Sequence, residues 1–336
     1  MSTSKAPKPA ASGKGTISSN APSLEPMLSA AWLYYEDQLT QSDIAEVLGV
    51  SRASVINYLH EARRLGVVKI TLDSEHFTAM RLAQRLSQQY GLERCIVIPD
   101  DQGRRPVEVR LGEAGAQLLS TLVAPGDMLG VSWGRTVLAL SKAIAPQRVP
   151  DLSVIQITGS MLATFEFSPE LCSSNIADRF GARCINLHAP ALVSRAEIRE
   201  LLYQEPALIP QLEMLKTCTK IVFGLGHVGA DSTIFASGAV TREAIQPYLA
   251  QSAVGVIAGR YFNANGQAIK GPLDERMIGM TLDEIDRIPM RICVSGGVAK
   301  APAIRAALQG GHATILVTDE LAAQALVDSL QIPSSI

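Results

Sequence analysis

The sequence predicts an α/β chain in two parts: an N-terminal helix-turn-helix domain, winged-helix-like in outline, followed by a mostly parallel α/β domain. Three observations predict it. Two short amphipathic segments flank Gly49, each preceded by a capping residue. From Arg94 onward, short apolar runs alternate with segments of helical period, the pattern of strands joined by crossover helices. A chain of 336 residues, 47% apolar and 18% charged, is also long enough for two domains and a large buried core.

Residues 1–23 are rich in Ser, Ala, Pro, Gly and Lys, with Met1 and Ile17 the only large apolar side chains. Such a segment cannot offset the entropy of ordering, so a disordered tail is expected. Lys5, Lys8 and Lys14 could add phosphate contacts from it.

Residues 24–73 form the expected DNA-binding domain. Met27, Leu28, Ala31, Trp32, Leu33 and Tyr35 recur at helical spacing behind Pro26, whose missing N–H costs nothing in a first turn. Trp32, Tyr34 and Tyr35 are expected to pack rather than stack on bases. Over 41–48, Ile44, Ala45, Val47 and Leu48 share one side of a helix; Thr40 can cap it, with Asp43 reaching back as a capping-box partner. Gly49 tolerates the positive φ that a turn between crossed helices requires. Ser51 can cap the next helix, about 52–65, in which Val55, Tyr58, Leu59 and Ala62 can pack on the first.

That arrangement leaves Arg52, Ala53, Ser54, Asn57 and His60 outward, near the N-terminus of the second helix, where a recognition helix meets base edges in the major groove. Arg52 can bond guanine bidentately and Asn57 adenine, while Ser51 and Ser54 can hold phosphates or bases. The candidate DNA contacts are Gln41, Ser51, Arg52, Ala53, Ser54, Asn57, Tyr58 and Arg63. An αα-hairpin with a solvated polar face, or a protein-interaction module, would use the same pattern without DNA. Residues 67–72 alternate enough to read as a strand, a small wing. A linker helix is expected within 74–93, suited to dimer contacts.

The remainder, 94–336, reads as an effector-binding domain. Strands are expected at 95–98, 128–132, 153–158, 184–187, 220–223, 254–259, 291–295 and 314–317. Helices are expected at 107–122, 135–145, 169–180, 197–201, 207–216, 243–249, 301–308 and 321–330. Net charge is −2, so any DNA binding must come from a local patch. Five scattered cysteines without CxxC spacing argue for a reducing compartment and against a zinc knuckle or disulfide frame. No run of 18 apolar residues and no leader-like apolar segment is present, so a cytoplasmic protein is expected. No metal-ligand spacing and no cofactor motif stands out.

Ligands of parallel α/β sheets sit beyond the C-terminal strand ends, where helix N-termini attract anions. Ser132, Gly134, Arg135 and Thr136 follow one strand and open a helix; Gly296, Gly297 and Lys300 repeat that logic. Thr158, Gly159, Ser160 and Asn175 could face the same crevice. Tight strand-to-helix turns without a ligand would read the same way. Gly224 to Gly229 matches GxGxxG, but neither a clear helix nor an acidic strand end follows. It is read as a pocket loop through Gly226, not as a dinucleotide site. His188, His227, Asp231 and Asp274 could form an acid–base set, yet no spacing ties them together.

With these residues in view, the chain resembles the SorC family of sugar-responsive bacterial transcription regulators. The resemblance runs from about Leu28 to Asp328. It rests on QSDIAEVLGVSRASVINYLHEARRLGVV, GVSWGRTV (130–137), GRYFNANG (259–266) and IPMRICVSGGVAKAPAIRAALQGGHATILVTDE (288–320). It implies an effector domain similar in fold to sugar-phosphate isomerases and glucosamine-phosphate deaminases, used for binding rather than turnover. It also implies dimers or tetramers on double-stranded operator DNA. Phosphate-cradling positions carry over onto Gly134, Arg135, Thr136, Gly296, Gly297 and Lys300, and a pocket wall onto Gly259, Arg260, Tyr261 and Phe262. Asn263, the next position and a candidate effector contact, stands where many members have Asp, so no effector identity carries over, only the class: a sugar, a polyol or its phosphate. An isomerase- or deaminase-type enzyme with a DNA-binding appendage is the rival expectation.

Overall fold

The computed structural model describes residues 26–70, 74–161, 167–229 and 240–329. The expected N-terminal tail lies outside the described residues. The chain divides into two compact units, up to residue 73 and from residue 74 onward.

The first unit holds α1 (Pro26–Tyr35), α2 (Gln41–Leu48) and α3 (Arg52–Arg64). Thr40 Oγ1 accepts the Asp43 N–H while the Asp43 carboxylate accepts the Thr40 N–H, a complete capping box. Gly49 ends α2 at φ +65°, and Ser51 Oγ accepts the Ser54 N–H to start α3. Ala30, Ile44, Val55 and Leu59 form the core between the three helices. Two expectations fail here. Trp32 is 61% exposed and Tyr34 36%, so only Tyr35 of that aromatic group packs inward. Residues 67–70 carry no strand, and 71–72 lie outside the described residues. Without a neighbouring strand, an alternating segment has no ladder to join, and no wing forms among the described residues.

The second unit begins with α4 (Ser74–Tyr90), expected as a linker. Its Leu82 and Leu86 are buried in the same core as Leu316 and Leu326, so this helix is built into the α/β unit. There follow β1 (Arg94–Ile98), α5 (Val107–Leu122), β2 (Met128–Val131), α6 (Arg135–Ala143), β3 (Ser153–Gln156), α7 (Pro169–Phe180), β4 (Arg183–Ile185), α8 (Ala196–Tyr203), α9 (Ile209–Leu215) and β5 (Lys220–Phe223). Then come β6 (Gly226–His227), α10 (Arg242–Leu249), β7 (Ala253–Ile257), β8 (Arg260–Asn263), β9 (Ala268–Ile269), α11 (Leu282–Asp286), β10 (Met290–Val294), α12 (Ala301–Gln309), β11 (Ile315–Asp319) and α13 (Glu320–Asp328).

Seven strands make one parallel sheet in the order β1-β11-β10-β5-β2-β3-β4. Separate apolar cores cover it, one including α4, α12 and α13, the other α5, α6 and α7. The five central strands, buried in this way, read as near-continuous apolar runs, which is why they were visible in the sequence, while the edge strands β1 and β4 are partly exposed. The segment expected as a strand at 254–259 belongs elsewhere. It becomes β7 of a small antiparallel sheet, β6-β7-β8-β9. Ala258 and Gly259, at φ +50° and +84°, form the two-residue turn into β8, the hairpin geometry that needs positive φ at both positions.

Candidate functional site

The outward positions of α3 fall as the spacing requires. Ser51, Arg52, Ala53 and Asn57 are exposed, Ser54 is half-buried, and Gln41 is half-buried at the start of α2. Tyr58 packs against the three-helix core, so only part of its ring is accessible. Arg63 Nε donates to the Leu59 carbonyl, and Arg64 is paired with Glu61. Ile56, which the sequence reading left out, is 45% exposed between Arg52 and Asn57 on this helix.

In the second unit, the C-terminal ends of β2, β5 and β10 open into a cavity of about 230 Å³. Ser132, Gly134, Arg135 and Thr136 line it from the β2–α6 turn; Gly296, Gly297 and Lys300 line it from the segment after β10. Gly134 stands at the N-terminus of α6 with φ +125°, and no side chain caps that helix. The first N–H groups of α6 therefore have no side-chain cap, at the positive end of the helix dipole.

Gly226 lines the cavity as expected, with Gly224, Leu225 and His227 beside it. Past Gly226 the chain forms β6 rather than the helix a dinucleotide cradle needs; residues 230–239 lie outside the described residues. Two carboxylates missed in the sequence belong to this region. Glu108, in the first turn of α5, lines the cavity with a carboxylate. Asp319, 4% exposed, accepts the Gly297 N–H at 2.5 Å and, through its other oxygen, the Ala322 N–H at the start of α13. One side chain thus fixes the cavity-lining loop and caps a helix. A Cβ on Gly296 would lie 2.0 Å from Asp319 Oδ2, so glycine is required for this approach. Asp319→Ala is expected to lower stability by about 1–2 kcal/mol through the lost cap alone. Urea unfolding of the variant measures it.

Other expected site residues lie outside the large cavity. Thr158 and Tyr261 line a smaller neighbouring one. Gly159 packs against the Pro190 backbone, 2.5 Å from an added Cβ, and Ser160 Oγ donates to the Leu187 carbonyl. Asn175 Nδ2 donates to Ser141 Oγ between α7 and α6. Two wall positions from the resemblance, Arg260 and Phe262, need correction, as does Asn263 as an effector contact. Arg260 is 5% exposed and pairs with Asp274 at 3.1 Å, its Nε donating to the Met280 carbonyl. Phe262 is fully buried against the His312 ring. Asn263 Oδ1 accepts the Asn265 and Gln267 N–H groups and so shapes the turn after β8.

The acid–base candidates do not assemble. His227 lines the cavity, whereas His188 is exposed outside its lining; Asp274 is engaged by Arg260 and Tyr248. Asp231 lies outside the described residues. Burial pushes the Cys95, Cys172, Cys218 and Cys293 thiols up to about 12, so none supplies a thiolate nucleophile. No cluster of three or more metal-ligating side chains occurs among the described residues.

A helix-turn-helix unit joined in one chain to an α/β unit with a ligand-sized cavity at its strand ends defines a class: ligand-controlled DNA-binding regulators. Comparison with known proteins agrees. The family described as "Putative sugar-binding domain" matches residues 74–328. The transcriptional regulator YjhU of Escherichia coli K12 is 34% identical over 309 residues, covering 90% of this chain and 94% of that protein. The erythritol catabolism regulatory protein EryD of Brucella abortus is 30% identical over 302 residues, covering 89% and 95%. In fold, the full-length sorbitol operon regulator SorC from Klebsiella pneumoniae superposes with a TM-score of 0.71 at 24% identity, over 90% of this chain and 98% of that one. The chain belongs to the SorC family of sugar-responsive transcription regulators. It is a DNA-binding regulator, not an isomerase or deaminase.

Proposed function

We propose that the large cavity binds the phosphorylated end of a sugar or polyol phosphate, and that its occupancy sets the affinity of α3 for operator DNA. The observation that carries this reading is the convergence of two loop-to-helix turns, one with the uncapped N-terminus of α6, with Arg135 and Lys300 around a single cavity. A phosphate meets there the two things it needs: orphan N–H groups and cationic side chains. Glu108 and His227 are placed to accept or share hydrogen bonds with sugar hydroxyls. The name of EryD, a relative at 30% identity, favours polyols among the candidates.

The regulator acts in the cytoplasm as a homodimer or homotetramer. No helix among the described residues is long and apolar enough to cross a membrane. Ligand closing on the Trp133–Thr136 and Ser295–Lys300 loops biases one subunit arrangement, and the spacing of paired α3 helices then matches or misses the operator half-sites.

On DNA, Arg52 and Asn57 read bases, and the exposed Ile56 is set to meet a thymine methyl. Arg52→Ala or Asn57→Ala is expected to cost about 1–3 kcal/mol and to relax preference at one base position. Binding to a sequence selected from a random DNA pool, and to its single-base variants, measures both. Unchanged affinity and preference in Arg52→Ala would place recognition elsewhere.

The experiment for the effector is a thermal-shift screen against sugars, polyols and their phosphates, with ligand integrity followed by NMR. A saturable rise in Tm with intact ligand supports the reading. Conversion of the ligand would contradict it.

A further inference from the structure

A second cavity, of about 30 Å³, adjoins the large one across Trp133, Ala258 and Gly259, which line both. This is room for one water or for the end of a small ligand. Leu192, Leu273 and Met277 are among its apolar walls. Two residues on the wall are polar, Thr158 and Tyr261, 3% and 1% exposed. Thr158 Oγ1 and Tyr261 Oη are both buried without a hydrogen-bond partner. Native interiors satisfy nearly all such groups, so two orphan hydroxyls on one cavity call for an occupant.

The occupant's chemistry follows from what else is present. No Lys or Arg lines this cavity among the described residues. The nearby Arg260 guanidinium is committed to Asp274 and the Met280 carbonyl. A charged group entering here would lose its water without gaining a counter-charge. The Tyr261 phenol also stays neutral, because burial, and then the Asp274 charge, push its pKa well above the ordinary tyrosine value. A neutral hydroxyl can both donate to and accept from these two side chains, and the carbon bearing it suits the apolar wall.

We propose that the small cavity is a subsite for an uncharged, hydroxyl-bearing end of the effector, and that it rejects a second phosphate. The effector class is thereby narrowed to monophosphates of short sugars or polyols with a neutral terminal carbinol. This rests on the reading that the large cavity takes the phosphate.

The test uses the full-length protein and isothermal titration with three probes: inorganic phosphate, polyol monophosphates (glycerol 3-phosphate, erythritol 4-phosphate, sorbitol 6-phosphate) and fructose 1,6-bisphosphate. Thr158→Val and Tyr261→Phe each remove one hydroxyl at nearly constant shape. The expected result is a loss of about fivefold or more in affinity for the best monophosphate in each variant, the size of one neutral hydrogen bond. Affinity for inorganic phosphate should not move, and the bisphosphate should bind more weakly than the monophosphate. Ligand-free Tm should hold or rise, since an unsatisfied hydroxyl has been removed, which separates this effect from misfolding.

Monophosphate affinity unchanged in both variants would overturn the subsite while leaving the phosphate reading intact; the cavity would then hold only water. Tighter binding of the bisphosphate to the wild-type protein would overturn it as well. If none of the phosphate probes binds the wild-type protein, the reading of the large cavity fails first and the subsite fails with it.

Discussion

Arg260→Met should lower the stability of the α/β unit by about 3 kcal/mol, the lower end of the cost of breaking a buried ion pair. The lower end applies because the Asp274 side chain keeps 22% of its exposure, against 6% for Arg260. The arginine binds Asp274 Oδ1 at 3.1 Å and the Met280 carbonyl at 3.1 Å. Asp274 Oδ2 in turn accepts the Tyr248 hydroxyl at 2.7 Å and the Gly271 N–H at 3.0 Å. Removing the guanidinium leaves a carboxylate facing the aromatic pair Tyr248–Tyr261, with its best partner gone. Replacing both residues, Arg260→Met with Asp274→Leu, should recover much of the loss, because no unpaired charge remains. Urea unfolding of the single and double variants gives the comparison. A single variant of normal stability that cannot bind effector would return Arg260 to the ligand-binding wall.

The second large effect concerns the ligand. Arg135→Ala and Lys300→Ala should each weaken binding of a sugar or polyol phosphate by about 10- to 100-fold, the range for hydrogen bonds to a charged partner. Arg135 is exposed at the first turn of α6, its guanidinium 5.8 Å from the centre of the Phe167 ring, which itself stacks on Trp133. That stacking orients the cation at the cavity mouth and limits the entropy lost on binding. Calorimetry with the best monophosphate from the screen measures the change. Equal affinities in the wild-type protein and Lys300→Ala would remove this lysine from the site.

How much of this was readable in the sequence depends on how local each feature is. The two helices around Gly49 were legible almost to their ends, because the Thr40–Asp43 box, the Gly49 turn and the Ser51 cap act within four positions of chain. The five central strands of the parallel sheet were legible because burial on both faces makes them nearly continuous apolar runs. The small sheet was not: β6 and β9 are two residues long, and β8 contains an arginine that is polar in sequence and buried in space. Its partner Asp274 lies 14 positions away, and Met280 20, so no spacing rule connects them. Gly134, Gly296 and Gly297 were found because a close turn before a helix has a glycine signature. Asp319 escaped because it closes the Gly297 loop from 22 positions downstream. Asn263 looked like a ligand contact and is a turn residue, holding the Asn265 and Gln267 amides.

The central claim, that a phosphorylated sugar or polyol in this cavity controls DNA binding, is tested most directly by one titration. Fluorescence anisotropy would follow the full-length protein binding a DNA duplex selected from a random-sequence pool, at fixed salt, with and without saturating polyol monophosphate. The expected result is a change in DNA affinity of about 5- to 150-fold, the usual range of coupling between two sites, together with an equal change in ligand affinity when DNA is bound. The same ligand should leave the Lys300→Ala protein's DNA affinity nearly unmoved. A wild-type protein that binds both ligand and DNA with no change in either affinity would contradict the claim.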